Sequence, residues 1–200
     1  MSPEPQHPAE RQDRRKERTR TALITAAQQL IRDGKAPNVS IKNLTDLADV
    51  GFGSFYNHFA TKEELFDVAV AAAMGDYFAW LDENLPTDGD PVTRLHDSVR
   101  LTGRLVSELP DTAAVLARRF ALLEPASDSL GTRMQADVFA AVKAGNPRLD
   151  ASEVAILAVA ASGAMQAVLS RAQSLTSDET AKAADVLADA VLRLLSLERS

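Results

Sequence analysis

Hydrophobic residues recur along this chain at intervals of three and four positions, whereas the strict alternation of a β-strand is nearly absent. Such intervals place the apolar side chains on one face of an α-helix. The pattern predicts helices at residues 12–33, 41–48, 52–59, 61–84, 91–108, 111–123, 127–144, 150–172 and 176–197. We therefore expect an all-α protein.

Several of these helices begin at residues that can cap the exposed N–H groups of a first turn. Ser40 is a favourable N-cap for the helix at 41–48, and Gly34 is a favourable stop for the helix before it. Three further helices begin with a capping box, in which two side chains three residues apart satisfy each other's N–H groups. The pairs are Thr61 with Glu64, Asp150 with Glu153, and Thr176 with Glu179.

The second and third helices are short and close together in sequence, which is the layout of a helix-turn-helix unit. In such a unit the later helix enters the major groove of DNA. The turn would occupy residues 48–51, where Ala48 permits close helix approach and Val50 fills the space between the helices. Asp49 tolerates a left-handed backbone better than most residues do.

Composition limits the possible chemistry. The 200 residues are 46% hydrophobic and 25% charged, the balance of a globular chain, and none is a cysteine. Disulfides, thiolate nucleophiles and zinc-thiolate sites are thereby excluded, and a cytoplasmic location fits. The three histidines have no metal-ligand spacing, and adjacent carboxylates such as Asp82 and Glu83 point to different sides of a helix. We expect no catalytic residue, no metal and no cofactor, so the protein is predicted not to be an enzyme.

The sequence also predicts no membrane association. Its start is polar and lacks the apolar stretch of a secretory signal. The most apolar segment, residues 154–169, has 16 residues, fewer than the roughly 20 that a bilayer crossing requires.

Charge is distributed unevenly around a net value of −6. The stretch 11–20 holds six basic residues and only two acidic ones, whereas residues 66–200 are predominantly acidic. The basic residues are Arg11, Arg14, Arg15, Lys16, Arg18 and Arg20. A basic segment on an acidic body suggests an anionic partner at one end of the molecule, although a basic run alone also fits a solvated helix face.

Three sequence blocks make a specific resemblance: SIKNL at 40–44, ADVGFGSFYNHF at 48–59 and TKEEL at 61–65. Together with the first helix they resemble the DNA-binding domain of the TetR family of bacterial transcriptional regulators, over about residues 14–66. The resemblance implies three parts: a disordered tail at 1–10, a three-helix helix-turn-helix domain at 11–66, and a larger helical ligand-binding and dimerisation domain at 67–200.

The resemblance also implies roles for individual residues. Phe55 and Phe59 match aromatic positions that fix the recognition helix, while Tyr56 and Lys62 match phosphate-contacting positions. Ser40 and Lys42 match positions of the second helix that face DNA; Phe52, Gly53, Ser54 and Asn57 lie where the family reads base edges; His58 matches a position often on the backbone side. With a helix-turn-helix beside them, Arg14, Arg15, Lys16 and Arg18 are expected to contact phosphates.

Some of these roles have alternatives. His58 could equally be a structural residue, and Phe52 could read a thymine methyl group or simply pack. Two positions depart from the family pattern: Asp49 replaces the usual turn glycine, and Gly51 replaces the usual Ser or Thr cap. Losing that cap to glycine costs only a few tenths of a kcal/mol.

In the family, the second domain holds a ligand cavity and its last two helices pair with those of a second copy. The expected ligand-binding residues for a largely apolar small molecule are Trp80, His96, Val99, Thr102, Arg118, Phe120, Met134, Phe139, Met165 and Gln166. The expected dimer interface, with small residues that permit close approach, is Ala160, Gly163, Ala164, Ala167, Leu187, Val191 and Leu194. Burial of these faces within one chain is the alternative.

Taken together, the sequence predicts a homodimeric, ligand-responsive regulator that binds palindromic double-stranded operator DNA, most often as a repressor. The alternative is a helical protein-interaction module whose basic arm meets an acidic protein and has no DNA target.

Overall fold

The computed structural model describes residues 8–86, 89–122, 129–171 and 174–197. Within these ranges the chain is helical and contains no strand. The helices are α1 (Pro8–Arg32), α2 (Ile41–Leu47), α3 (Phe52–Phe55), α4 (Lys62–Asn84), α5 (Pro91–Glu108), α6 (Pro110–Leu122), α7 (Ser129–Gly145), α8 (Ala151–Arg171) and α9 (Ser177–Leu194), with a 3-10 turn at Ala36–Asn38. The predicted all-α fold is confirmed.

Three helix ends differ from the prediction by three or more residues. The first helix begins at Pro8 rather than residue 12, because proline lacks only an N–H that a first turn leaves unpaired anyway. The third ends at Phe55 rather than 59, since the His58 N–H donates to the Phe55 carbonyl at 2.9 Å in a tighter turn. The last ends at Leu194, close to Ser196, whose φ of 52° is left-handed.

The predicted caps are present. The Ser40 hydroxyl accepts from the Asn43 N–H at 3.1 Å. The pairs Asp150 with Glu153 and Thr176 with Glu179 make both hydrogen bonds of a capping box. At the start of α4 the Thr61 hydroxyl accepts from the Glu64 N–H, but the Glu64 carboxylate reaches back to the N–H of Ala60 at 2.7 Å.

The chain divides into two compact units, Met1–Ala72 and Ala73–Ser200, and α4 runs through the boundary. In the first unit, apolar side chains of the first four helices are fully buried together. They are Leu23, Ala27, Leu44, Phe55, Leu65 and Ala69. The Gln28 side-chain amide also donates to the Ala69 carbonyl at 3.1 Å, which ties α1 to α4.

In the second unit α5 is the central helix and packs most extensively against α9. The two helices approach closely at Gly103, where an added methyl group would overlap the Ala184 side chain. Beside Gly103, Thr102 is buried and its hydroxyl lies 2.6 Å from the Tyr77 hydroxyl. Burial raises the pKa of Tyr77 to about 12, so this hydrogen bond joins two neutral side chains at pH 7.

By length and composition alone, α8 could cross a membrane, with a mean hydropathy of 1.6. One face of this helix is buried by its neighbours, through Val154, Ala158, Ala161, Met165 and Leu169. The spacing of three and four residues is that of a helix packed on one side. Its other face is apolar and exposed.

Candidate nucleic-acid interface

The turn between α2 and α3 has the predicted position and geometry. It occupies residues 48–51, and Asp49 adopts a left-handed backbone with φ of 54°. The Val50 N–H donates to the Thr45 carbonyl at 3.0 Å and anchors the turn to α2. Gly51 stands at the N-cap of α3 and supplies no side-chain hydrogen bond.

Two buried aromatic side chains hold helix α3 in place, as expected. Phe55 and Phe59 are 0% and 2% exposed, and their ring centroids lie 6.0 Å apart. The Arg20 guanidinium stacks over the Phe59 ring at 5.4 Å, a contact between α1 and the segment after α3. These contacts determine which face of α3 remains exposed.

The opposite face of α3 carries the residues expected to meet DNA. Phe52 and Tyr56 are 54% and 56% exposed and touch edge to face at 5.9 Å. Gly53 and Asn57 are exposed beside them, and Ser54 is half-buried. Phe52 begins this short helix and Tyr56 is its C-cap. Two large aromatic rings left in solvent so close together are typical of a surface that has a partner.

Ser40 and Lys42 lie at the start of α2. The Ser40 hydroxyl serves as the helix cap, and the Lys42 ammonium pairs with the Asp46 carboxylate at 2.7 Å. Both members of this pair are exposed, and such pairs contribute little stability. Lys42 can therefore exchange Asp46 for a more strongly charged anion.

Lys62 has a contact that the sequence did not predict. Its ammonium donates to the carbonyls of Pro37 and Val39, at 3.3 and 3.5 Å, and so ties the start of α4 to the loop before α2. Positioning this loop is a role of Lys62 in addition to its expected phosphate contact.

His58 is half-buried next to α1. Burial, and then the positive charges of Lys16 and Arg20, lower its pKa, while Glu17 opposes them. The imidazole is consequently neutral at pH 7 and keeps one N–H donor.

The basic residues of α1 lie on two faces. Arg14, Arg15, Lys16 and Arg18 are all exposed, as expected for phosphate contacts. Four arginines line a groove of about 1110 Å³ together with the turn at 48–51 and Ser54; they are Arg11, Arg14, Arg15 and Arg18. Lys16 does not line this groove, and its positive charge contributes to lowering the pKa of His58. The expected phosphate contacts did not include Arg11, although the helical spacing 11, 14, 15, 18 places it on the same face as the other three arginines.

The expected ligand-binding residues occupy several environments of the second unit. His96, Val99, Thr102 and Met165 are buried, Trp80 is half-buried, and Arg118 is exposed. Phe139 is 37% exposed and lines a small apolar groove with Leu149 and Val154. The side chains of Phe120, Met134 and Gln166 lie outside the described residues.

His96 is held between two carboxylates. Its Nδ1 lies 3.2 Å from Asp97 and its Nε2 lies 3.1 Å from Asp189 on α9. Because the two carboxylates meet opposite ring nitrogens, the three groups do not converge on one ion. In the part of the chain that the structure describes, no other group of three potential metal ligands converges either.

A polar cluster of the second unit was missed by sequence reasoning. The Arg133 guanidinium binds Asp82 through both terminal nitrogens and lies over the Phe78 ring at 4.9 Å. Asp137, one turn along α7, is half-buried, and burial raises the pKa of its carboxyl. No spacing rule joins α4 to α7, so only the fold brings these side chains together.

The expected dimer residues mostly lie on an exposed apolar face of α8 and α9, which pack side by side. Ala160, Gly163 and Ala167 are exposed, Ala164 and Leu187 are half-buried, and Leu194 is 49% exposed. Val191 is only 3% exposed and packs inside its own chain. Three large apolar residues outside the expected set are also exposed on these helices. Val186 on α9 is 65% exposed, and Ile156 and Val159 on α8 are 66% and 64% exposed.

The first unit thus has the architecture of a helix-turn-helix DNA-binding domain, and the second unit is helical throughout its described residues. Residues 23–69 match the sequence profile described as "Bacterial regulatory proteins, tetR family". The resemblance to TetR-family transcriptional regulators is confirmed by this match and by the fold.

Solved structures share the fold over nearly the whole chain. RolR in complex with resorcinol is 24% identical, with 93% of this chain and 91% of that chain covered and a TM-score of 0.59. A TetR-like regulator from Rhodococcus sp. RHA1 is 17% identical, with coverages of 88% and 96% and a TM-score of 0.67. The fatty acid degradation regulator FadR from Bacillus halodurans is 14% identical, with 96% of each chain covered and a TM-score of 0.63. A comparison with curated protein sequences finds no match.

Proposed function

We propose that this protein is a homodimeric transcriptional repressor that binds palindromic operator DNA in the bacterial cytoplasm and is released by a small molecule. The observation that carries the proposal is the exposed face of α3. Its aromatic and polar side chains project from a helix that buried Phe55 and Phe59 hold in place, beside the exposed arginines of α1.

Electrostatics favour DNA over an acidic protein as the partner. Arginine and lysine side chains that neutralise phosphates give a steep, linear dependence of log K on log salt concentration. An acidic protein would present a less regular array of charge to the same surface. The helix-turn-helix geometry also favours DNA, because α3 suits a major groove and DNA bound there would bring its phosphates near the basic residues of α1.

Selection from a pool of random DNA duplexes tests the proposal directly. The full chain is expected to enrich a palindrome whose half-sites are centred about 34 Å apart, one helical turn of DNA. Binding to the enriched duplex should weaken steeply with salt. Failure to retain any duplex at low salt would favour the protein-interaction alternative.

Tyr56 provides the sharpest test of the interface. Its hydroxyl is expected to donate to a backbone phosphate, so Tyr56→Phe should weaken binding by a similar factor on the enriched and on random duplexes, roughly tenfold for a hydrogen bond to a charged group. The variant keeps the ring that packs on Phe52. Fluorescence anisotropy at two or more salt concentrations measures the effect.

Lys62→Ala and Lys62→Met extend this test, because both remove the charge but the methionine keeps most of the aliphatic stem. If Lys62 contacts phosphate, both should reduce the salt slope by about 0.9. A selective loss on the enriched duplex alone would contradict the phosphate assignment for either residue. An unchanged slope would reduce Lys62 to its observed role of holding Pro37 and Val39.

Dimerisation is supported by the exposed apolar face of α8 and α9. Ile156, Val159 and Val186 are each about two-thirds exposed, on two helices that already pack against each other. Large apolar side chains left exposed on two neighbouring helices are typical of an interface with another protein. A second copy supplies a second α3, as a palindrome requires.

Release by a small molecule is supported by the neighbouring structures: one contains resorcinol, and another is of a fatty acid degradation regulator. Resorcinol and a long-chain fatty acid are therefore suitable first probes. Trp80, the only tryptophan, lies in the second unit and gives an intrinsic fluorescence signal.

Linkage makes the ligand proposal quantitative. A probe that weakens DNA binding must itself bind more weakly, by the same factor, to the DNA complex, and such factors are typically about 5- to 150-fold. Calorimetric titration of each probe with and without the enriched duplex measures both affinities. A probe that binds equally well in the two titrations is not an inducer. Such a probe would bind the protein without changing its affinity for DNA.

A further inference from the structure

We propose that the polar cluster of Asp82, Arg133 and Asp137 in the second unit recognises the hydroxyl groups of a neutral phenolic effector. The proposal rests on the proposed function and narrows the class of small molecule that releases DNA. The three residues lie on α4 and α7, and their charges act on one another. None of them belongs to the ligand-binding set expected from the sequence.

Arg133 is the fixed part of the cluster. Its guanidinium lies over the Phe78 ring at 4.9 Å and binds Asp82 through both terminal nitrogens, and its side chain is only 23% exposed. Asp82 also pairs with the Arg94 guanidinium at 3.5 Å, yet its own side chain is 55% exposed. A carboxylate offers about four acceptor sites on its two oxygens, so Asp82 can accept from a further donor that approaches from solvent.

Asp137 is an acceptor that its described neighbours do not use. It lies one turn from Arg133 on α7 and is half-buried, but within the described ranges its carboxylate makes no hydrogen bond or ion pair. Arg133 and Arg94 nevertheless act on its charge, so the carboxylate faces the same cluster. Burial raises the pKa of the Asp137 carboxyl, which makes the ionised group a stronger acceptor than an exposed carboxylate.

The space between Arg133 and Asp137 suits one hydroxyl group. Residues four apart on a helix have Cβ atoms about 5–6 Å apart, and here the guanidinium is turned to Asp82 rather than to Asp137. A guanidinium has five N–H donors, of which the two contacts with Asp82 use two. A ligand hydroxyl placed between the two side chains can therefore accept from Arg133 and donate to Asp137.

The charge of the cluster favours a neutral ligand. Two guanidinium groups, of Arg94 and Arg133, stand against two carboxylates, of Asp82 and Asp137, so no excess of charge attracts an organic anion or cation. The unused capacity is that of an acceptor, which an O–H group satisfies and a ligand carboxylate does not.

A phenol fits this site better than an aliphatic alcohol. A phenolic O–H has a pKa of about 10, far below that of an alcohol, and is the stronger donor to a carboxylate. Its ring can pack edge to face against Phe78, which is half-buried beside Arg133. A second hydroxyl on the same ring can donate to Asp82.

Calorimetric titration without DNA tests the site with matched ligands and matched variants. Resorcinol and 1,3-dimethoxybenzene share the ring and the oxygen positions, but only resorcinol has O–H groups; benzoate is the anionic comparison. Asp137→Asn keeps the size of the side chain and removes its charge. Asp76→Asn makes the same change at an exposed position of α4 that takes no part in the cluster.

The natural chain is expected to bind resorcinol at least tenfold more tightly than 1,3-dimethoxybenzene or benzoate. Asp137→Asn should weaken resorcinol roughly tenfold, as the loss of a hydrogen bond to a charged group does, and leave 1,3-dimethoxybenzene unchanged. Asp76→Asn should change neither affinity by more than about twofold.

Three results would overturn the proposal. An equal loss of both aromatic ligands in Asp137→Asn would show that Asp137 only supports the structure. Tighter binding of benzoate than of resorcinol would assign the cluster to anions. No binding of resorcinol, catechol or phenol to the natural chain, up to their solubility limits, would remove the phenol assignment altogether.

Duplex binding separates these results from the proposed function. Anisotropy of the enriched duplex is measured with the natural chain, with and without saturating resorcinol. If the chain binds no duplex, the proposed regulator function fails, whereas the titrations still decide whether the cluster binds phenols. If resorcinol binds through Asp137 but leaves the duplex affinity unchanged, DNA binding stands and the effector role proposed for the cluster is wrong.

Discussion

Asp49 illustrates how a single residue departs from the family pattern while retaining the backbone that the fold requires. The turn between α2 and α3 needs a left-handed residue, and Asp49 adopts φ of 54° there. Aspartate and asparagine are the non-glycine residues that most readily enter this region, because their short polar side chains bond locally. The departure from glycine therefore leaves the helix-turn-helix geometry intact.

The left-handed backbone at Asp49 predicts an order of stability for variants at this position. Asp49→Ala should lower the free energy of unfolding by about 1 kcal/mol, because alanine enters the left-handed region at a cost of roughly 1–2 kcal/mol without a compensating hydrogen bond. The Asp49→Gly variant should have a free energy of unfolding equal to or greater than that of the natural chain. The Asp49→Asn variant serves as the isosteric control. Urea unfolding followed by circular dichroism measures the series. An alanine variant as stable as the asparagine variant would show that the turn relaxes out of its left-handed conformation.

At the same scale, sequence reasoning succeeded where chemistry is local and failed where it depends on distant partners. The Ser40 cap and the left-handed Asp49 follow from residue type and position, and the family resemblance implied the packing role of Phe55 and Phe59. The Lys62 contact with Pro37 and Val39 joins residues far apart in the chain, and no periodicity signals it.

Among the helices, the pairing of α5 with α9 depends on one glycine. Gly103 is buried where a methyl group would overlap Ala184 and lie 3.2 Å from the Thr180 carbonyl. Neither neighbour is the far end of a flexible side chain, so the two helices would have to separate. The close approach is invisible in the sequence, where a helical glycine reads only as a weak helix former.

We therefore predict opposite effects for two glycine-to-alanine substitutions. Gly103→Ala should destabilise the protein by about 1–3 kcal/mol through overpacking. Gly75→Ala is the matched control, since Gly75 is exposed on α4 with nothing within 4 Å of its added methyl group, and it should stabilise by up to about 1 kcal/mol. Thermal unfolding of the two variants separates the effects; a Gly103→Ala protein that melts with the natural chain would show that α5 and α9 can move apart freely.

Helix boundaries were predicted well wherever a side chain caps the end. The helix at 91–108 was predicted with its observed limits, and its N-cap Asp90 accepts from the N–H groups of Val92 and Thr93. The shortening of α3 to Phe52–Phe55 was not foreseen, because the apolar spacing of Phe55 and Phe59 continues through a turn that is no longer regular helix.

At the scale of the whole molecule, a single chain leaves the exposed apolar face of α8 and α9 without a partner among the described residues. The sequence placed both the small residues of α8 and Val191 in the expected interface. The small residues are exposed or half-buried, whereas Val191 is buried within the chain. The helical period of α9 alone could not distinguish the face that packs on α5 from the face that remains exposed. Burial in the structure makes that distinction and selects Val186 and Leu194.

Gly163 allows the dimer proposal to be tested without unfolding the chain. It is exposed on α8, and an added Cβ would meet nothing within 4 Å, so Gly163→Arg can be accommodated by one copy alone. At the interface of two copies, the guanidinium would be buried without a partner, at a cost of about 3–5 kcal/mol. Sedimentation velocity should then show a monomer that circular dichroism shows to be folded. Binding to the enriched palindrome should fall because a monomer carries one α3 and contacts only one half-site at a time. Gly75→Arg places the same side chain on another open helical position and should remain a dimer. A Gly163→Arg protein that sediments as a dimer with full affinity would place the interface elsewhere on the chain, and the exposed face of α8 would then need another partner.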